Sequence, residues 1–248
     1  MMPEKLLNDK KIALVTGGNR GIGLEICKQL AKKGILVILT CRKVSEGKTA
    51  VAQLKKQGIN IYYQQLDVAN QTSRLRCKQF VEKKFGRLDI LVNNAGVFLD
   101  SDDDDTLPGE TSAFCTSLDI LRKTLEVNTC APFRLCQLFI PLMKKHNYGR
   151  IINVSSRAGQ LATMKGGDAA YRISKTALNA VTKIFAAETN ENNILVNSVH
   201  PGWVKTEMGG SRAPLTPEQG AETIVWAATL PDGGPTGKFF FEKKEIEW

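Results

Sequence analysis

Tyr171 and Lys175 stand four positions apart in Tyr171-Arg172-Ile173-Ser174-Lys175. On a helix, residues at i and i+4 share a face. A tyrosine ionises near pH ~10, too high for proton transfer at neutrality, and an adjacent ammonium lowers that value by favouring the phenolate. Bringing it toward 7 takes about 3 pH units, or about 4 kcal/mol. One ammonium together with a cationic ring in a dry site is of that size. Standing alone, Tyr-x-x-x-Lys is a common surface pair. It gains weight from Ser156, which closes the apolar run Arg150-Ile151-Ile152-Asn153-Val154 upstream of it.

A second constellation is Thr16-Gly17-Gly18-Asn19-Arg20-Gly21-Ile22-Gly23, between an apolar run and a helical pattern. A dinucleotide pyrophosphate needs close backbone approach and amides aimed at it; glycines permit both, and a helix N-terminus adds its dipole. The spacing of Gly17, Gly21 and Gly23 is G-x-x-x-G-x-G, not the G-x-G-x-x-G fingerprint. After the next apolar run comes Thr40-Cys41-Arg42-Lys43, with no carboxylate before Glu46. An Asp or Glu there would hold a ribose 2′-hydroxyl, whereas Arg42 and Arg20 suit a 2′-phosphate through charge-assisted bonds. The expected cofactor is therefore NADPH/NADP; the alternative is two solvated arginines.

The elements that must position these groups alternate regularly. Strands are expected at 11–16, 35–40, 59–66, 88–93, 150–154, 194–199 and 238–241. Helices are expected at 21–33, 46–57, 71–85, 117–145 (bent before Pro132), 169–188 and 217–228. Alternation of this kind predicts an α/β, Rossmann-type doubly wound fold: a seven-stranded, mostly parallel sheet with helices on both faces. No linker or repeat interrupts it, so residues 1–248 read as a single domain carrying both cofactor and substrate sites. The run Asp102-Asp103-Asp104-Asp105 reads as a solvated loop.

Composition narrows the classes. The 248 residues carry 34 Lys and Arg against 25 Asp and Glu, a net charge of +9, with 42% hydrophobic residues. Disorder is excluded, and no apolar run approaches the roughly 20 residues of a membrane helix. The six cysteines (Cys27, Cys41, Cys77, Cys115, Cys130, Cys136) are scattered, which fits reduced cytoplasmic thiols and leaves no metal cluster. The lysine pairs at 32/33, 55/56, 83/84 and 144/145 read as helix faces rather than a nucleic-acid stripe. Only His146 and His200 are present, so proton transfer falls to other residues. His200, before Pro201, reads as a structural hydrogen bonder.

In order along nearly the whole chain stand the Gly17/Gly21/Gly23 loop, Asn93-Asn94-Ala95-Gly96, Asn128, Ser156, Tyr171 with Lys175, and Pro201-Gly202 followed by Thr206. This set resembles the short-chain dehydrogenase/reductase family, and within it the NADPH-dependent carbonyl reductases. The resemblance implies reduction of aldehydes or ketones to alcohols by hydride transfer. Tyr171 would be the general acid, Ser156 (rather than Ser155) the hydrogen bonder of the carbonyl oxygen, and Lys175 the holder of the ribose hydroxyls. Asn128 would support a proton relay by distorting its helix. Cofactor contacts would come from Gly17, Asn19, Arg20, Gly21, Ile22, Gly23, Arg42, Asp67, Val68, Asn94, Ala95, Gly96, Tyr171, Lys175, Pro201, Gly202, Val204 and Thr206. Substrate contacts would come from Ser156, Tyr171 and Trp203, with Trp203 equally readable as core. Residues 157–168, with Leu161 and Met164, form a second expected pocket wall.

Two features depart from the family pattern. The loop from Thr206 to Pro217 is short, which implies a small lid and an open site. The C-terminus lacks the Val-Asp-Gly-Gly ending associated with tetramers, and the reading is a homodimer through helices 117–145 and 169–188. The rival functions are a 3-oxoacyl reductase or secondary-alcohol dehydrogenase of the same family, and a non-catalytic NADPH-binding sensor. Neither nucleic acid nor membrane is an expected partner.

Overall fold

The computed structural model describes residues 10–100 and 112–248; the acidic run Asp102–Asp105 lies outside them. Its strands are β1 (Ile12–Val15), β2 (Leu36–Cys41), β3 (Tyr62–Gln65), β4 (Ile90–Asn93), β5 (Gly149–Val154), β6 (Ile194–Val199), β7 (Phe239–Phe241) and β8 (Lys244–Ile246). They form one sheet in the order β3-β2-β1-β4-β5-β6-β7-β8. Neighbours through β7 are parallel and β8 is antiparallel. The helices are α1 (Gly21–Lys32), α2 (Val44–Lys56), α3 (Gln71–Phe85), α4 (Leu118–Leu125), α5 (Ala131–Lys145), α6 (Ala169–Glu188) and α7 (Pro217–Ala228).

Alternate strand residues feed two separate cores. Ile12 and Leu14 of β1 pack with Phe139 of α5 and Phe185 of α6, while Ala13 and Val15 pack with Ile26 of α1 and Ile224 of α7. Both faces of β1 are thus covered, which is why its residues and those of β2, β5 and β6 are buried without alternation.

The eighth strand corrects the expected seven. Glu242 and Lys243 both take positive φ, 48° and 63°, and reverse the chain so that Phe239 faces Ile246. Such a two-residue turn ordinarily carries Asn-Gly or Asp-Gly, so Glu-Lys gives no turn signal.

The expected helix over 117–145 is also divided. A π-helical turn, Glu126–Cys130, separates α4 from α5. Pro132, which would close the α-type bond to the Asn128 carbonyl, has no N–H. The Ala131 N–H instead reaches Glu126, five residues back.

The strand order reverses between β1 and β4, so the crevice of the sheet opens at their C-terminal ends. The glycine loop leaves β1 there, and Asn94-Ala95-Gly96 leaves β4 beside it.

Candidate active site

Thr16 ties these two loops together. Its hydroxyl accepts from the Asn94 and Ala95 amides, both at 2.9 Å, and the Asn94 side chain donates to the Thr16 and Gly17 carbonyls at 2.9 and 3.2 Å. Gly17 turns the chain at φ +63°, and a Cβ on Gly23 would lie 2.1 Å from the Gly17 carbonyl oxygen. Only glycine allows α1 to start this close to β1. No side chain caps α1 and its first turn holds no acid, so its free amides and dipole fit a pyrophosphate.

Around the end of β2, Arg42 is exposed. Glu46, the first carboxylate after it, is engaged by Asn19 at 2.8 Å and Lys43 at 3.1 Å. Arg20 is ion-paired with Glu207, on the loop that follows Thr206. Asp67 accepts from the Ala69 amide at 3.1 Å through its carboxylate, and Val68 gives its carbonyl to Arg74.

A cleft of about 780 Å³ opens beside these loops, lined among others by Ile22, Ser156, Tyr171, Trp203 and Thr206. The Ser156 side chain faces it, whereas Ser155 is buried with its hydroxyl directed to the Lys175 carbonyl at 3.4 Å. Trp203 takes the lining reading, not the core one: it is 48% exposed, with its indole N–H donating to Gly209 at 2.7 Å. The expected second wall is present in part. Ala158, Gln160 and Thr163 line the cleft, while Leu161 and Met164 are exposed to solvent.

Tyr171 and Lys175 share a face of α6, with Nζ 5.5 Å from the ring centroid. Nζ donates to the Val154 carbonyl at 2.9 Å, and Gly96 packs against it. Burial pushes the Tyr171 phenol up to about 12, opposed by a hydrogen bond with Ser156 and reinforced by Asp168. Burial also pulls Lys175 down to about 8. The expected depression of the phenol by the neighbouring ammonium is not found: dry surroundings penalise both charged forms, and the Ser156 hydrogen bond is what lowers the phenol.

Asn128 sits at the centre of the π turn, fully buried. Its amide accepts from the Val97 N–H at 2.8 Å and donates to the Val97 carbonyl and the Ser174 hydroxyl at 2.9 and 3.0 Å. Thr129 donates to the Ser174 carbonyl at 2.8 Å. The irregular turn is thereby fastened to the helix that carries Tyr171.

One site residue escapes sequence reasoning. The Asp100 carboxylate accepts from the Ala170 and Tyr171 amides at 2.7 and 2.9 Å, capping α6 from outside. Asp168, at the N-cap position itself, has φ +47° and makes no capping bond. Asp100 lies 70 residues from the amides it caps and adjoins the acidic run, so no local spacing marks it. His200 makes the structural hydrogen bond expected of it, Nδ1 accepting from the Gly202 amide at 3.4 Å, and lines the cleft.

A family model described as short chain dehydrogenase matches residues 11–215. (+)-Neomenthol dehydrogenase of Arabidopsis thaliana is 34% identical over 289 residues, covering 95% of this chain and 97% of its own. Carbonyl reductase (NADPH) 1 of Sus scrofa is 33% identical over 291 residues, covering 97% and 95%. Both alignments are longer than the 248-residue chain, so these relatives carry residues that it lacks. Among solved structures, the carbonyl reductase Sniffer of D. melanogaster has a TM-score of 0.84 at 31% identity, covering 96% of this chain and 99% of that one. Sequence match and fold agree over nearly the same span, and the chain belongs to the short-chain dehydrogenase family.

Proposed function

We propose that the protein is an NADPH-dependent oxidoreductase that reduces aldehyde or ketone carbonyls to alcohols. The observation that carries this is the single cleft onto which Ser156 and Tyr171 both face, with Lys175 packed behind the phenol. Names of relatives such as carbonyl reductase (NADPH) 1 support the same activity and cofactor.

Bound NADPH would supply the hydride. The chain's own residues supply the proton and the geometry. At neutral pH a phenol raised to about 12 is protonated, the form a general acid needs for donation to a carbonyl oxygen. Ser156 donates a hydrogen bond to the same oxygen and fixes its place. Lys175 holds ribose hydroxyls, and Asn128 keeps the π turn in register with α6. The amides of Gly17 to Gly23 hold the pyrophosphate, Asp67 and Val68 the adenine, and Arg42 the 2′-phosphate. Asn94, Ala95 and Gly96 border the riboses, and Pro201, Gly202, Val204 and Thr206 the nicotinamide side. One domain thus carries cofactor and substrate sites alike.

An NADPH-consumption screen over ketones, aldehydes, quinones and enones tests the activity. Tyr171→Phe should lower kcat by about 10²–10⁴-fold and leave NADPH binding intact. Retention of most of the activity would remove Tyr171 from the proposed role.

We further read a homodimer and a cytoplasmic setting. Ile173 and Ile184 lie three turns apart on α6, 47% and 48% exposed, and Leu118 of the neighbouring α4 is 64% exposed, a surface that suits a second copy. A monomer by sedimentation equilibrium would sink this. All six thiols are free, as a reducing compartment keeps them; microscopy of a tagged chain checks the location. Among the described residues, no helix is long and apolar enough to cross a membrane.

A further inference from the structure

Arg157, Lys165 and Arg172 all line the cleft, where the one carboxylate among the described lining residues is the buried Asp168. Among the described residues, none of these three cations belongs to an ion pair. Among the described residues, aromatic and carbonyl contacts hold the two arginines. Arg157 follows Ser156 directly, and its guanidinium lies 5.6 Å from the centroid of the Phe241 ring. That ring stacks on His200, with centroids 4.8 Å apart. A π face orients a guanidinium while leaving its charge and N–H donors available. Arg172 gives Nε to the Gly167 carbonyl at 2.8 Å, which leaves both terminal nitrogens for another partner.

The Arg157 charge is felt inside the cleft. After burial, it is the second cause that pulls His200 down to about 4. His200 is therefore neutral at pH 7 and adds no positive charge of its own. Cations that no acid among the described residues pairs with, set around a concave site, concentrate anions there. The hydride and proton steps described above call for none of this charge.

We propose that the substrate is a carbonyl compound that also carries a carboxylate, held by Arg157 and Arg172 with Lys165 adding to the field, while its carbonyl oxygen meets Ser156 and Tyr171. This rests on the reading of the cleft as a carbonyl-reducing site. Guanidinium forks match carboxylate geometry, and both arginines are anchored close to the two residues that meet the oxygen.

Phenylglyoxylate and benzoylpropionate, each against its methyl ester, place a carboxylate at two distances from the ketone. In steady-state assays with NADPH, at least one acid should exceed its ester in kcat/KM by about tenfold. Added salt should erode that advantage. Arg157→Gln and Arg172→Gln should each lower the acid-to-ester ratio several-fold; the ratio cancels any general loss of activity. Esters reduced as well as acids, or a ratio untouched by both substitutions, overturns the proposal. Calorimetric titration of the same acids and esters into the protein separates this from the activity itself. If no carbonyl compound consumes NADPH, acid binding that is weakened in Arg157→Gln still upholds the anion site. Equal affinity for acid and ester, or no binding of either, overturns it.

Discussion

At the scale of single residues, burial governs the chemistry more than pairing does. Tyr171, Lys175 and His200 are all displaced toward their neutral forms, with desolvation the first cause in each. For His200 the consequence is a dependence of stability on pH. Its folded pKa is about 4 against an ordinary 6.5. Between those values the unfolded chain takes up a proton that the folded chain refuses, so stability rises with pH through this window and falls on acidification from 6.5 toward 4. The whole displacement corresponds to about 3–4 kcal/mol. His200→Gln can still accept from the Gly202 amide but cannot titrate. Denaturant unfolding at stepped pH should show the wild type losing more stability than the variant between pH 6.5 and 4. Parallel curves would mean that His200 is protonated in the native state. At the opposite end of the site, Arg42 is the residue proposed to decide between cofactors. Arg42→Asp should reverse the ratio of kcat/KM for NADPH over NADH, since a carboxylate repels the 2′-phosphate and accepts from a 2′-hydroxyl. Equal use of both cofactors by the wild type would remove Arg42 from that role.

At the scale of elements, what was legible in the sequence is what is local. Tyr171 and Lys175 meet because four residues make one turn. The glycine loop is contiguous, and α6 and α7 fall on their expected residues because the apolar period and Thr216-Pro217 mark them. What was not legible is what the fold brings from afar. Asp100 reaches the amides of α6 across 70 residues, and Glu207 meets Arg20 across 187. The π turn was foreshadowed by Pro132 as a bend and, through the family resemblance, by Asn128 as a local distortion of the helix. The partners that fasten it are distant in sequence, Val97 on the loop after β4 and Ser174 on α6. Asp100 yields the sharpest test at this scale. Its carboxylate accepts two amides at the start of α6, one of them from Tyr171 itself. Asp100→Ala should cost about 1–2 kcal/mol, and it loosens the first turn on which the phenol stands. Lower kcat with unchanged NADPH affinity, partly restored in Asp100→Asn, would accompany the loss. An unchanged melting temperature and kcat would show that α6 finds another cap.

At the scale of the whole molecule, the far edge of the sheet reaches back to the cleft that Tyr171 lines. The β7–β8 hairpin brings Trp248 onto Phe239, the rings 5.5 Å apart and 19° from parallel, with the Lys183 ammonium 5.5 Å from the indole. Beside them, the Glu247 carbonyl accepts from the Gln160 side chain at 3.0 Å and the Trp248 carbonyl from the Ala162 amide at 3.1 Å. Gln160 and Thr163 belong to the cleft wall, and Thr163 in turn donates to Gln160 at 3.1 Å. The wall is two short 3₁₀ turns, Arg157–Gly159 and Leu161–Thr163, with few bonds of their own to hold a shape. The first turn is held by α6, whose Thr176 and Asn179 side chains donate to the Gly159 carbonyl at 3.2 and 3.1 Å, and the second by the strand edge. Trp248→Ala removes the stacked ring from fully buried Phe239 and lets both carbonyls drift from the wall. Because the indole is only partly buried, the cost should be about 2 kcal/mol, below the range for a core tryptophan. The kinetic signature distinguishes this from general weakening. KM for the carbonyl substrate should rise several-fold, while NADPH affinity stays at the wild-type value, because the glycine loop sits on β1, five strands from β8 in the sheet order. Equal losses in both affinities would show that the hairpin supports the whole sheet and has no particular hold on the wall.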